Sequence, residues 1–223
     1  MDPNRLRDLL DDVYRGNVDP DSALERLKLL PFEDLGFAKV DHHRALRTGF
    51  PEVIYSAGKT AEQVIEIARS LKGKSHNVLM TRLDAVTAEH VGKALPDLVY
   101  YPQGRVATLI SKTPSIEGRG RILILAAGTA DLPVAEEAAV TAEIMGNLVE
   151  RLTDVGVSGL HRLLAHIEVL RSASVLVVVA GMEGALPSVV AGLVDRPVIA
   201  VPTRVGYGAS FGGLAALLAM LNS

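Results

Sequence analysis

Apolar residues first recur at helical spacing: Leu6, Leu9, Leu10 and Val13 share one face of a helix predicted over residues 3–15. Gly16-Asn17 ends it. Asp19-Pro20 opens a second helix, in which Ser22 and Glu25 have the spacing of a capping box and Leu24, Leu27 and Leu30 form one apolar stripe up to Pro31. This pair reads as a small helical arm suited to interaction or oligomerisation. Residues 36–60 are irregular and charged. An α/β alternation then begins, with strands at 53–55 and 78–80, helices at 61–71 and 85–94, and an extended stretch at 98–110 that turns near Gln103-Gly104.

Past residue 120 the pattern sharpens. Residues 122–126, 175–180 and 198–201 are wholly apolar strands, and 148–152 is a weaker one with polar alternate positions. Helices are predicted at 134–145, 160–170 and 211–221. Continuous apolar strands separated by helices predict a parallel sheet covered on both faces. The fold class is therefore α/β: a three-layer parallel-sheet domain, preceded by a smaller N-terminal α/β domain and the helical arm. Residues 113–120, with Pro114, Gly118 and Gly120, form the linker, which predicts domains at 1–115 and 116–223. The last helix is apolar all round, from Leu214 to Leu221. It needs burial on every side, which predicts a homo-oligomer.

Composition narrows the function classes. At 48% hydrophobic and 22% charged the chain is globular, and a net charge of −3 leaves no nucleic-acid footprint. No lysine follows Lys112, in keeping with a more buried second half. The absence of cysteine excludes disulfides, cysteine zinc sites and thiol catalysis by these residues. No apolar stretch reaches membrane-span length, the one at 173–184 being interrupted by Ser174 and Glu183, and Met-Asp-Pro-Asn does not open a signal peptide. The expected location is the cytoplasm.

Three stretches follow strands, on the side where open α/β sheets bind ligands. Gly128-Thr129-Ala130-Asp131 leads into a helix whose first N–H groups can hold an anion; Asp131 reads either as a site residue or as that helix's cap. In Gly181-Met182-Glu183-Gly184, Glu183 is the one charged residue between Arg171 and Asp195. The apolar run around it predicts a carboxylate that takes up a proton more readily than one in water, which suits a general base; an exposed loop glutamate is the alternative. The stretch Val201-Pro202-Thr203-Arg204-Val205-Gly206-Tyr207-Gly208-Ala209-Ser210-Phe211-Gly212-Gly213 predicts a loop packed on a ligand or another subunit. None of these carries the G-x-G-x-x-G dinucleotide fingerprint. Ala57-Gly58-Lys59-Thr60 resembles the end of a P-loop, but Val53 stands where the first glycine belongs. Adjacent His42-His43, and His161 with His166, lack metal-pair spacing, so no metal site is predicted.

Several segments together resemble the LarB family: Gly36-Phe37-Ala38-Lys39-Val40-Asp41, Arg44, Arg47 to Tyr55, Gly58-Lys59-Thr60, Gly128 to Asp131 with Pro133 to Ala138, Asp154 to Val157 with His161-Arg162, and Gly181 to Leu186. The second domain is also similar to aminoimidazole ribonucleotide carboxylase/mutase. The LarB resemblance implies addition of CO2 to C5 of the pyridinium ring of nicotinic acid adenine dinucleotide and hydrolysis of its phosphoanhydride. The products are AMP and pyridinium-3,5-biscarboxylic acid mononucleotide, a precursor of the nickel-pincer nucleotide cofactor of lactate racemase. It implies Glu183 as the base, with Asp131 and His161 as further catalytic candidates, His161 for activating water. It implies substrate contacts from Arg44, Arg47, Glu52, Lys59, Gly128, Thr129, Ala130, Gly181, Met182, Gly184, Gly206, Tyr207, Gly208 and Ser210. Surface salt bridges to Asp41 and Glu52 are the alternative for the three cations.

The resemblance further implies CO2 as co-substrate, no organic cofactor, an octamer with shared active sites, and no nucleic-acid or membrane partner; a role for Mg2+ in hydrolysis stays open. In the family a cysteine thiolate dearomatises the ring, and it would stand directly after Ser223. The expectation is therefore a sequence cut short at its C-terminus, whose 223 residues bind substrate without carboxylating it. Arg204 departs from the small polar residue usual in the family. Aminoimidazole ribonucleotide carboxylation and a non-catalytic nucleotide-binding subunit are the competing readings; the domain before residue 115 speaks against the first, the missing cysteine for the second.

Overall fold

A computed structural model describes residues 3–28, 32–42, 44–73 and 77–223. Leu30, Pro31 and His43 lie outside the described residues, as do the side chains of Leu27 and Arg47. Backbone contacts divide the chain into two compact units, Met1–Thr113 and Pro114–Ser223.

The first unit begins with helices α1 (Pro3–Tyr14) and α2 (Pro20–Lys28). The cap of α2 is Asp19, not the predicted Ser22: the Ser22 backbone N–H donates to the Asp19 carboxylate at 2.9 Å, because Pro20 fixes the first helical position one residue later. Leu9 and Ala23 are buried, whereas Leu10 and Leu24 of the predicted stripes are exposed.

An antiparallel ribbon, β1 (Glu33–Asp34) and β2 (Lys39–Val40), leads into the stretch read as irregular, which then holds helix α3 (Arg44–Thr48). These elements are too short to generate a period. Strands β3 (Val53–Tyr55), β4 (Val78–Thr81), β5 (Val99–Tyr101) and β6 (Val106–Leu109) form a sheet of order β3-β4-β6-β5. In it β3 and β4 are parallel and the other pairs antiparallel. Helices α4 (Ala61–Gly73) and α5 (Ala85–Ala94) cover it; Val64, Ile67, Ala68 and Leu71 of α4 are buried at helical spacing against Ile54, Met80 and Leu109.

In the second unit β7 (Arg121–Ala126), β8 (Leu148–Leu152), β9 (Val175–Ala180) and β10 (Val198–Pro202) pair in parallel, in the order β10-β9-β7-β8. The predicted doubly covered parallel sheet is present. Leu123, Leu125, Leu176 and Val178 point to one face, against Leu163 of α7 (Leu160–Leu164), Leu170 of α8 (Ile167–Ser172), and Leu186 and Val190 of α9 (Leu186–Ala191). Ile124, Ala126 and Val179 point to the other, against Ala135 and Ala139 of α6 (Leu132–Ile144).

Three details correct the sequence reading. The helix predicted over 160–170 is two helices parted at Ala165-His166. The six-residue α9 was missed because it is shorter than two turns. The last helix, α10 (Leu214–Leu221), starts three residues late because Gly212 and Gly213 take φ of 65° and 99°. Nor is α10 buried on every side: Ala216 is buried, but Leu214, Leu217, Leu218 and Leu221 are exposed. Among the described residues no helix is long and apolar enough to cross a membrane.

Candidate functional site

Parallel strands that all end on the same side leave four consecutive loops together at the carboxyl ends of β7, β8, β9 and β10. That edge of the second unit is the candidate site.

The loop after β7 turns at Gly128 and passes through a single 3-10 turn, Thr129–Asp131, into α6. Thr129 and Ala130 are exposed at its crest, whereas Asp131 is only 4% exposed. Its carboxylate does not cap α6. One oxygen accepts the backbone N–H of Gly128 at 3.1 Å, and the other accepts the hydroxyl of Thr203 at 2.7 Å. Thr203, 5% exposed, immediately follows β10. It lies in the loop expected to pack on a ligand or another subunit, but no role of its own was foreseen, because its partner Asp131 is distant in sequence.

The loop after β9 is a tight turn in which the Gly184 N–H donates to the Gly181 carbonyl at 2.9 Å. Met182 is held at φ +51°, a conformation that costs a side-chain-bearing residue free energy. The Met182 N–H donates to the Val205 carbonyl at 2.7 Å, which ties this turn to the loop after β10. Gly181 has to be glycine: a Cβ there would stand 2.2 Å from the Val205 carbonyl oxygen and 2.6 Å from the Thr203 hydroxyl. At Gly184, φ is +68° and a Cβ would press on the backbone of Ala216 at 2.8 Å. Both glycines are buried, but Glu183 between them is exposed. The expected apolar surrounding of this carboxylate is thus not supplied within one chain, because the turn carries Glu183 to its outer edge.

After β10, Gly206 approaches Met182 and Ser210, and a Cβ would be 2.8 Å from the Ser210 Cβ. Ser210 is buried, its carbonyl accepting the N–H groups of Gly213 and Ala215. Arg204 and Gly208 are exposed and Tyr207 is 83% exposed, so the crest of this loop is open to solvent. After β8, Gly156 packs against the carbonyl of Ala127, and Arg162 pairs with Asp154 at 2.5 Å. His161 lies exposed in the first turn of α7.

The other predicted binding residues belong to the first unit. Arg44 is exposed on α3. The Lys59 ammonium donates to the Tyr55 carbonyl at 2.6 Å and lies 6.0 Å from the Tyr55 ring centre, in the turn between β3 and α4. Glu52 accepts the Asp41 backbone N–H at 2.6 Å, which anchors the segment after β2. Among the described residues no group of three or more His, Cys, Asp or Glu side chains is placed to hold a metal ion.

Comparison with known proteins gives two family matches. Residues 32–112 match the LarB/PurE-like N-terminal domain, and residues 121–223 match AIR carboxylase, a carboxylase-type domain. The uncharacterised protein MJ0165 of Methanocaldococcus jannaschii is 40% identical over 228 residues, which span 98% of this chain and 87% of that protein.

Proposed function

Because the chain belongs to the LarB family, whose second domain is of the AIR carboxylase type, we propose that it serves the carboxylation of nicotinic acid adenine dinucleotide at C5 of the pyridinium ring. Hydrolysis of the phosphoanhydride would release AMP and pyridinium-3,5-biscarboxylic acid mononucleotide, on the way to a nickel-pincer nucleotide cofactor. The observation that carries this reading is the joining of a LarB-type N-terminal domain to a carboxylase-type domain in one chain.

A pyridinium carbon is electron-poor, so carboxylation first requires a thiolate to add to the ring and place an electron pair at C5. That pair forms the bond to CO2. Glu183 then accepts the C5 proton, the C–H electron pair re-forms the dihydropyridine, and the nitrogen pair expels the thiolate to restore the aromatic pyridinium. Glu183 fits the role by its place at the carboxyl end of β9 between two close-packed glycines. Bound substrate or a second copy of the chain has to exclude water from it. No residue of the 223 is a cysteine, so the steps assigned to this sequence are binding and proton removal.

Thr129, Ala130, Gly206 and Ser210 are assigned to shaping the cavity for the ring and CO2. Arg44, Arg47 and Lys59 are assigned to anionic groups of the substrate, and His161 to water activation. CO2 is the co-substrate and no organic cofactor is invoked. A homo-oligomer and a cytoplasmic location complete the proposal.

The test supplies the native protein with labelled bicarbonate and nicotinic acid adenine dinucleotide, or with aminoimidazole ribonucleotide. Label in a pyridinium dicarboxylate, with AMP released and both lost in Glu183→Gln, supports the reading. Label in aminoimidazole ribonucleotide instead overturns it. The lack of cysteine favours a second reading, a non-catalytic nucleotide-binding subunit, which predicts ligand-dependent thermal stabilisation without incorporation of label.

A further inference from the structure

We propose that Thr203, acting with Asp131, is a positioning residue that holds the Glu183 turn in register with the Gly128–Ala130 loop. The proposal rests on the reading that Glu183 is the base.

Hydrogen bonds run from loop to loop along the carboxyl edge of the sheet. The Gly128 N–H donates to one Asp131 oxygen, and the Thr203 hydroxyl donates to the other. The same Thr203 oxygen accepts the Val205 N–H at 3.4 Å, and the Val205 carbonyl accepts the Met182 N–H at 2.7 Å. The Thr203 N–H donates to the Ala180 carbonyl at 3.0 Å, which fixes Thr203 to the last residue of β9. The chain of contacts therefore starts at the turn expected to face the substrate ring and ends on the residue before Glu183.

Two properties make Thr203 the hinge of this arrangement. It is buried, so the bond to Asp131 has no competition from water, and its loss would strand a carboxylate oxygen in a 4%-exposed site. It also sits where Gly181 leaves no room for a Cβ, so the β9 and β10 loops meet at van der Waals contact and cannot slide independently. Met182, held at φ +51°, requires such support from its neighbours. Asp131, expected among the catalytic residues, has an oxygen on each of the two loops and takes a positioning role here.

The test compares Thr203→Val, which keeps the shape and removes the donor, with Thr203→Ser, which keeps the donor. Hydrogen exchange at the Gly128 and Met182 amides is measured on each folded variant. Carboxylation of nicotinic acid adenine dinucleotide by the native protein carrying each change is measured alongside. The expected result is faster exchange at both amides in Thr203→Val and a fall in kcat on the order of tenfold to a hundredfold, with KM changed less than about threefold. Thr203→Ser is expected to restore both. Unchanged exchange at Met182 in Thr203→Val, or a loss carried wholly in KM, overturns the positioning role. Glu183→Gln separates the two levels: if it retains activity the assigned base is wrong, whereas if it is inactive while Thr203→Val keeps full kcat, only the positioning role fails.

Discussion

Close backbone approach sets the strongest demands on single residues in the second unit, and these differ sharply between glycines that look alike in sequence. At Gly181 an added methyl would meet the Val205 carbonyl and the Thr203 hydroxyl well inside contact distance, and both belong to a loop already held by hydrogen bonds. Gly181→Ala is expected to lower the unfolding free energy by about 1–3 kcal/mol, read from the denaturant midpoint. At Gly128 the backbone is extended and the nearest atom to an added Cβ is the Asp131 carboxylate at 3.8 Å. Gly128→Ala should therefore cost less than about 1 kcal/mol. Equal losses in the two variants would mean that the loops do not meet as described. Glu183 was legible from the sequence because one acid interrupts a long uncharged stretch. Its exposure was not, because whether a turn points its middle residue inward depends on the chain packed beneath it. Thr203 was legible only as part of the loop after the fourth strand: its own role shows no pattern until the fold brings it to Asp131, 72 residues away.

Elements were legible in proportion to their length and burial. Strands β7 and β9 and helices α4, α5 and α6 announced themselves because their side chains enter continuous cores; β10 and β8 are both edge strands, and β10 read clearly because it is wholly apolar, β8 weakly because it is not. Its Arg121-paired Glu150, and Arg151 bound to both Glu136 and Glu143 of α6, replace apolar alternation with ion pairs. Those two carboxylates hold the Arg151 guanidinium in its charged form even more firmly than usual. Short elements that depend on caps escaped. A testable cap is that of α5, where the Asp84 carboxylate accepts both the backbone N–H and the hydroxyl of Thr87, at 2.9 and 2.7 Å. These bonds, the backbone one first, hold its pKa below the ordinary 3.8. A depressed acid contributes stability above its unfolded pKa and loses it as pH falls through the folded value. Asp84→Ala should thus melt about 2 °C lower at pH 7, and the gap should close as the pH is taken below 3.8. A gap that persists in acid would place the effect in helix propensity rather than in the charged cap.

For the whole molecule, the decisive feature is α10. Its exposed leucines fall at 214, 217, 218 and 221, the i, i+3, i+4, i+7 spacing of a single helix face, with Leu218 51% and Leu221 72% exposed. The buried Ala216 and the packed Met220 occupy the opposite side. The helix turns Ala216 and Met220 toward its own domain and leucines outward, and we propose that the outer face meets a second copy of the chain. Each leucine fully buried there would contribute roughly 1.5–3 kcal/mol. In a two-fold interface the stripe meets its own image, so one substitution acts on both sides at once. Leu218→Glu should therefore lower the assembly mass measured by light scattering, whereas Val86→Glu, at an exposed position of α5, should leave it unchanged. Were α10 merely solvent-facing, Leu218→Glu would shift stability by no more than about 0.5 kcal/mol and leave the mass alone. A native protein that is monomeric at micromolar concentration, or an assembly indifferent to Leu218→Glu, would remove the stripe as the interface.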